Sequence, residues 1–204
     1  MRQNGLYAKR TRYYYKNYIK KVKNEERPNL LNQIFKVYSR NKIWLGDISY
    51  IPTKRGYFYL AAFMDVYSWR VVGRSTSTRL KEDLVIDGFM QAYRKERPKS
   101  GLTIHTDQGS QYTENKFRTI LKKHEVITSN SRKGNPYDNA MMESFPRTIK
   151  TELLQEKAFE TIEEAKQEIF KYIELYYNKR QMHSALGYLS PAVYETKEQS
   201  ASQN

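Results

Sequence analysis

The chain has no cysteine, which excludes a disulfide framework and any thiolate metal site. Its three histidines, His105, His124 and His183, lie too far apart in sequence to suggest a histidine cluster, so a bound metal would have to sit mainly on oxygen. No run reaches the roughly 18 apolar residues of a membrane span. The opening "MRQNGLYAKRTRYYYKN" lacks the continuous apolar stretch of a secretory signal. A cytoplasmic location with no membrane partner is the expectation. Acids are also scarce: 22 Asp and Glu stand against 36 Lys and Arg, for a formal charge of +14.

That charge is unevenly spread. Residues 1 to 40 carry 11 Lys and Arg against 2 Glu. Basicity interleaved with tyrosine, as in "KRTRYYYKNYIKK", fits phosphate contact with stacking on bases, and equally a solvated tail. At 204 residues the chain can form one domain with an added arm. The first apolar patch is "PNLLNQIF" after Pro28. The expected division is a basic arm or linker over 1–35, a core over 36–180, and a C-terminal extension over 181–204.

The core predicts an α/β fold. "KIWLGDISYIPT" (42–53), "GYFYLAAFMDVY" (56–67) and "WRVVGRSTS" (69–77) read as three strands in hairpin succession. "KEDLVIDGFMQAYRKE" (81–96) has helical apolar spacing, with acids in its first turn and bases in its last. A short strand over 102–106 follows, then a helix to Lys123 with Thr113 as N-cap, then a short strand over 126–129. The order is β β β α β α β. The last third reads as helical: Thr161 and Glu164 form a capping box, and Ser190-Pro191 opens a final helix.

Three carboxylates stand out. Asp47 lies in mid-strand beside Leu45, Ile48 and Ile51, where a charge is costly without a partner. Asp107 follows the apolar run "LTIH" and fits either a ligand position at a strand's carboxyl end or a turn aspartate before glycine. In "GNPYDNAMMESF" (134–145), a helix starting near Ala140 makes Asp138 a capping residue and puts Glu143 one turn in, on a face shared with Arg147 and Lys150. Asp65 reads as a strand-end turn residue, Glu82 and Asp83 as first-turn helix acids. His105 reads as polar support for Asp107 or as a structural histidine. Were the three acids to converge, their repulsion would call for divalent cations. All-oxygen ligands favour Mg²⁺ or Mn²⁺, and two such ions suit phosphoryl transfer.

"WLGDISYIPT", "IHTDQGSQYTE", "SRKGNPYDNAMMESF" with "IKTEL", and "YYN" with "HSALGYLSPAVYE" occur in that order. Together they resemble the retroviral-integrase-like transposases of bacterial insertion sequences, specifically the second-frame protein of the insertion-sequence-three family. That family's triad is Asp, Asp, Glu with 35 residues between the last two, the number that separates Asp107 from Glu143 here. The resemblance implies a ribonuclease H-like fold: a mixed sheet of three antiparallel and two short strands flanked by helices, with a helical C-terminal part. It implies Asp47, Asp107 and Glu143 as catalytic acids holding two Mg²⁺ or Mn²⁺ ions. Lys150 matches a basic residue expected to touch DNA; with Lys133 and Arg147 it would supply phosphate contacts. The implied activity is DNA strand cleavage and strand transfer in transposition, on element ends and target DNA, by a homo-oligomer at the bacterial nucleoid.

The sequence departs from the family pattern at three places. Pro146 either kinks the helix just past Glu143 or, if Ser144 caps a later helix, leaves Glu143 on a loop. Gln181 replaces a usual arginine. The helix-turn-helix region of relatives has no counterpart before the core. These departures keep two other readings open: a ribonuclease H-like nuclease that only hydrolyses, and a catalytically impaired DNA-binding remnant.

Overall fold

A computed structural model describes residues 28–154 and 159–201. Most of the basic arm therefore lies outside the described residues. The elements are β1 (Ile43–Thr53), β2 (Gly56–Asp65), β3 (Val71–Ser77), α1 (Glu82–Glu96), β4 (Thr103–Thr106), α2 (Ser110–Thr113), α3 (Asn115–Lys123), β5 (Ile127–Asn130), α4 (Ala140–Ile149), α5 (Ile162–Lys171) and α6 (Pro191–Ala201). A turn of 3₁₀ helix, Pro136–Asn139, leads into α4, and wider π turns extend α4 over Lys150–Leu154 and α5 over Tyr172–Tyr177.

The strands form one sheet in the order β3-β2-β1-β4-β5. The meander β1-β2-β3 is antiparallel, as its hairpin sequence predicts. β4 and β5 join β1 in parallel, through the crossovers α1 and α2-α3. The central strand is thus β1, the one that carries Asp47.

Alternation along β1 sends successive residues to opposite faces. Trp44 packs with α1 and α3 side chains such as Phe89 and Phe117. Leu45 and Ile51 face the second core layer, built by Met142, Phe145 and Ile149 of α4 and Ile169 and Ile173 beyond it. Asp47 shares that second face.

Several local readings are corrected. Thr113 does not cap α3: it ends α2, its hydroxyl donating to the Ser110 carbonyl at 3.2 Å. The extended backbone of Glu114 then separates the two helices. β3 starts two residues late, because Asp65 to Arg70 form a turn: Trp69 has a positive φ of 62° and its N–H donates to the Asp65 carbonyl. The Asp65 carboxylate, fully buried, accepts the N–H groups of Tyr67 and Asn41, as a strand-end turn residue should. The Thr161 cap is present, accepting Glu164 N–H at 3.1 Å, while the Glu164 carboxylate reaches Glu160 N–H.

The segments flanking the core pack onto it. Leu31 enters the α4-side core. Glu195 of α6 accepts from Ser68 and Arg70, and Ala192 N–H donates to the Asn178 carbonyl.

Candidate active-site cleft

Three elements bring the three acids to one open cleft. Asp47 projects from the middle of β1. Asp107 follows the last residue of β4. Because β1 and β4 pair in parallel with Gly46 opposite Thr106, one further step of the same register sets Asp47 beside Asp107. Glu143 stands in the first turn of α4, whose buried positions Met141, Met142, Phe145 and Ile149 dock on the sheet. Those contacts turn the Glu143, Arg147 and Lys150 stripe outward. Asp47, Asp107 and Glu143 line the cleft together with Arg132, Asn135 and Asn139.

The electrostatics follow from that placement. Burial pushes the Asp47 carboxyl up to about 6; the Ile48 N–H opposes the rise, while the charges of Asp107 and Glu143 add to it. Lys150 pulls the other way, so its ammonium lies within electrostatic reach of Asp47. Arg147 and Lys133 are exposed beside the cleft, on α4 and on the loop before it. Neither is among its lining residues.

Among the described residues no group of three His, Cys, Asp or Glu side chains is gathered closely enough to hold an ion. The cleft acids share a space without converging. Two carboxylates 4 Å apart repel by about 4 kcal/mol at an effective dielectric near 20, so mutual avoidance is the expected arrangement without a cation. One Asp107 oxygen is meanwhile turned back to the Gly109 N–H at 2.9 Å. The donor set still fits a hard divalent cation. It consists of carboxylate oxygens, and the amide oxygen of Asn139 is buried without a hydrogen-bond partner among the described residues.

Pro146 leaves Glu143 on a helix. α4 begins at Ala140 and runs through the proline to Ile149. The Ser144 hydroxyl donates to the Met141 carbonyl rather than capping a later helix. Lys150 N–H donates to the carbonyls of both Pro146 and Arg147 as the helix widens into its π turn.

The expected cap at Asp138 is absent. The side chain is fully buried and accepts from Arg132 N–H, Nε and Nη2 at 2.8 to 2.9 Å and from Gln33 Nε2 at 3.0 Å. Arg132 takes it because a guanidinium fork bonds both carboxylate oxygens, where the helix terminus offers single N–H groups. His105 is structural: its ring nitrogens meet Ser129 Oγ at 2.8 Å and, on the other side, Ser131 Oγ and the Asp138 carbonyl.

Sequence reasoning passed over Arg132 and Asn130. Asn130 Nδ2 donates to the Asp107 carbonyl and to Thr106 Oγ1, pinning the end of β4. For Arg132 there was a signal, a base and an acid flanking the turn "KGNPY".

Two family profiles, both described as integrase core domain, match residues 38–136 and 124–191. The transposase for insertion sequence element IS904 of Lactococcus lactis subsp. lactis (strain IL1403) is 56% identical over 191 residues, which cover 94% of this chain and 76% of that protein. Transposase InsF for insertion sequence IS3A of Escherichia coli (strain K12) is 37% identical over 97% of this chain and 68% of its own length. An insertion element IS600 protein of 31 kDa from Shigella sonnei is 42% identical over 83% of this chain, which spans 62% of that relative. Among solved structures, the HTLV-2 integrase catalytic core domain in complex with magnesium (trimeric form) superposes with a TM-score of 0.61 at 17% identity, over 78% of this chain and 99% of that one. A simian T-cell lymphotropic virus intasome chain gives 0.64 at 18% identity, over 76% and 54%. These retroviral likenesses establish the ribonuclease H-like fold. The sequence relatives establish descent: the chain belongs to the IS3 family of insertion-sequence transposases, with an integrase core domain.

Proposed function

We propose that this transposase is a metal-dependent polynucleotidyl transferase, cutting DNA at the element's end and joining the released 3′ hydroxyl to target DNA. The observation that carries the reading is the meeting of Asp47, Asp107 and Glu143, from three separate elements, on one cleft beside the ends of the parallel strands. Each acid has a role. Asp47 of β1 and Asp107 just past the end of the neighbouring β4 would hold a shared Mg²⁺ or Mn²⁺, and Glu143 would complete the shell of a second. Such ions, when bound, favour the attacking oxygen and the departing one in an in-line displacement. Neutralising cations would also offset the burial that holds the Asp47 carboxyl near 6 and the smaller repulsion from Asp107 and Glu143 that adds to it.

The chain's own bases address the DNA. Lys150, close enough to influence Asp47, would take a phosphate near the reacting one, and the exposed Arg147 and Lys133 would add to the positive field. No covalent protein intermediate is needed. The DNA is expected to include element ends and target, and the active form to be a homo-oligomer.

The test is to incubate the protein with labelled element-end DNA and Mn²⁺, beside an Asp107→Asn control. Joined products from the parent and none from the control are expected. Cleaved but never joined DNA would reduce the activity to hydrolysis, and equal products from both proteins would remove Asp107 from the chemistry.

A further inference from the structure

Asp138 is the most fully engaged acid near the cleft, and nothing in the proposed chemistry uses it. It lies five residues before Glu143 and is out of contact with solvent. Its Oδ2 accepts from Arg132 N and Nε, and its Oδ1 from Arg132 Nη2 and Gln33 Nε2, at 2.8, 2.9, 2.8 and 3.0 Å. Both oxygens are thus committed, so Asp138 has nothing to offer a cation in the cleft. Its main-chain carbonyl accepts from His105 Nε2 at 2.9 Å, and His105 lies two residues before Asp107.

One residue therefore joins four pieces of the molecule. Arg132 closes the loop between β5 and α4 into a ring. His105 ties that ring to β4. Gln33 ties it to the segment preceding β1. The peptide chain continues from Asp138 through Asn139, which lines the cleft, into the first turn of α4.

We infer that Asp138 is a positioning residue: clamped by Arg132 and Gln33, it fixes the loop over 131–139 and thereby sets where Glu143 points relative to Asp107. The chemistry favours this over a purely stabilising ion pair. A surface salt bridge needs one contact and contributes little, whereas here a bidentate fork, a backbone N–H and an amide converge on one buried carboxylate. The Arg132 guanidinium beside it holds that carboxyl well below the usual carboxylate range. Its position also divides the acids of "YDNAMMES": Asp138 faces the loop's interior and Glu143 the cleft.

This inference rests on the metal-dependent reading above, and its test separates the two. Asp138→Asn and Arg132→Lys are compared with the parent and with Glu143→Gln, each shown folded by circular dichroism and its melting midpoint. Free Mn²⁺ is titrated by electron paramagnetic resonance, amide exchange is followed over 131–143, and cleavage is measured at saturating DNA. Expected for folded Asp138→Asn is Mn²⁺ binding weakened about 10-fold or more, the scale seen when groups that orient metal ligands are removed. Faster exchange over 139–143 and unchanged DNA affinity should accompany it; Arg132→Lys, which keeps the charge but loses the fork, should fall between. Parent-like Mn²⁺ binding and exchange in folded Asp138→Asn would overturn the inference, as would losses no greater than its unfolded fraction. If the parent itself neither binds Mn²⁺ nor cleaves, the metal reading falls. The exchange data then still decide whether Asp138 holds the Glu143 turn.

Discussion

The half-buried Asp47 carboxylate is held where its charge is unwelcome, and this has a thermodynamic signature. Its carboxyl titrates near 6 in the folded chain against an ordinary 3.8. Between those values the native state keeps a proton that the unfolded chain has lost, so stability falls as pH rises through the window and stays reduced above it, by at most about 3 kcal/mol. Asp47→Asn should therefore melt higher than the parent at pH 7.5, with the gap closing toward pH 4. A gap independent of pH would contradict the burial argument. Mg²⁺ should narrow the gap at pH 7.5 by stabilising the parent alone, and should shift the acid limb of any cleavage activity to lower pH. Gly109 offers a second test. A Cβ there would sit 2.9 Å from Asp107 Oδ1, while the backbone, at φ −56°, accepts alanine without strain. Gly109→Ala should fold within roughly 0.5 kcal/mol of the parent yet lose on the order of 100-fold in cleavage, the scale set by a misplacement of about 1 Å. Unimpaired cleavage would mean that the Asp107 carboxylate has room to move.

Among the elements, α4 carries the largest internal cost. Proline at 146 removes the N–H that would reach the Met142 carbonyl, a penalty of about 3 kcal/mol in a helix interior. The helix persists because Met141, Met142, Phe145 and Ile149 anchor it in the core on both sides of the proline, and because the wider turn after Ile149 absorbs the misfit. Pro146→Ala should restore the missing bond at the loss of some buried ring surface, a net gain of about 1 kcal/mol and a melting point higher by roughly 2 to 4 °C. Calorimetry that finds a lower midpoint would show that the ring's packing outweighs the bond. Glu143 precedes the proline by three residues, so its place in the first turn should not change.

For the molecule as a whole, the excess of 14 positive charges makes DNA association an ion-exchange process, weakening steeply with salt. Of the three bases expected to meet DNA, Lys150 is linked to the cleft through its effect on Asp47. Lys150→Ala should lower affinity about equally for all DNA sequences and reduce the slope of log affinity against log salt by roughly 1. An unchanged slope in a filter-binding or anisotropy titration would move Lys150 off the phosphate path. Among the described residues no helix is long and apolar enough to cross a membrane.

The β-branched and aromatic runs of β1 and β2, the spacing of α1, the Thr161 cap and the interval from Asp107 to Glu143 were legible because each is decided by residues within a few turns of one another, or by simple counting. Asp47 was legible for the same reason, being a charge inside an apolar strand. What the chain's local chemistry could not decide was partnership at a distance. Asp138 could cap a helix or close a loop with equal local sense, and the choice fell to Arg132 and to Gln33, which lies 105 residues earlier. The parallel seating of β4 against β1, which sets Asp107 beside Asp47, depends on two cores forming on opposite faces of a single sheet. Side-chain pattern determines what each segment can become, whereas the pairing of segments is settled by burial summed over the whole fold.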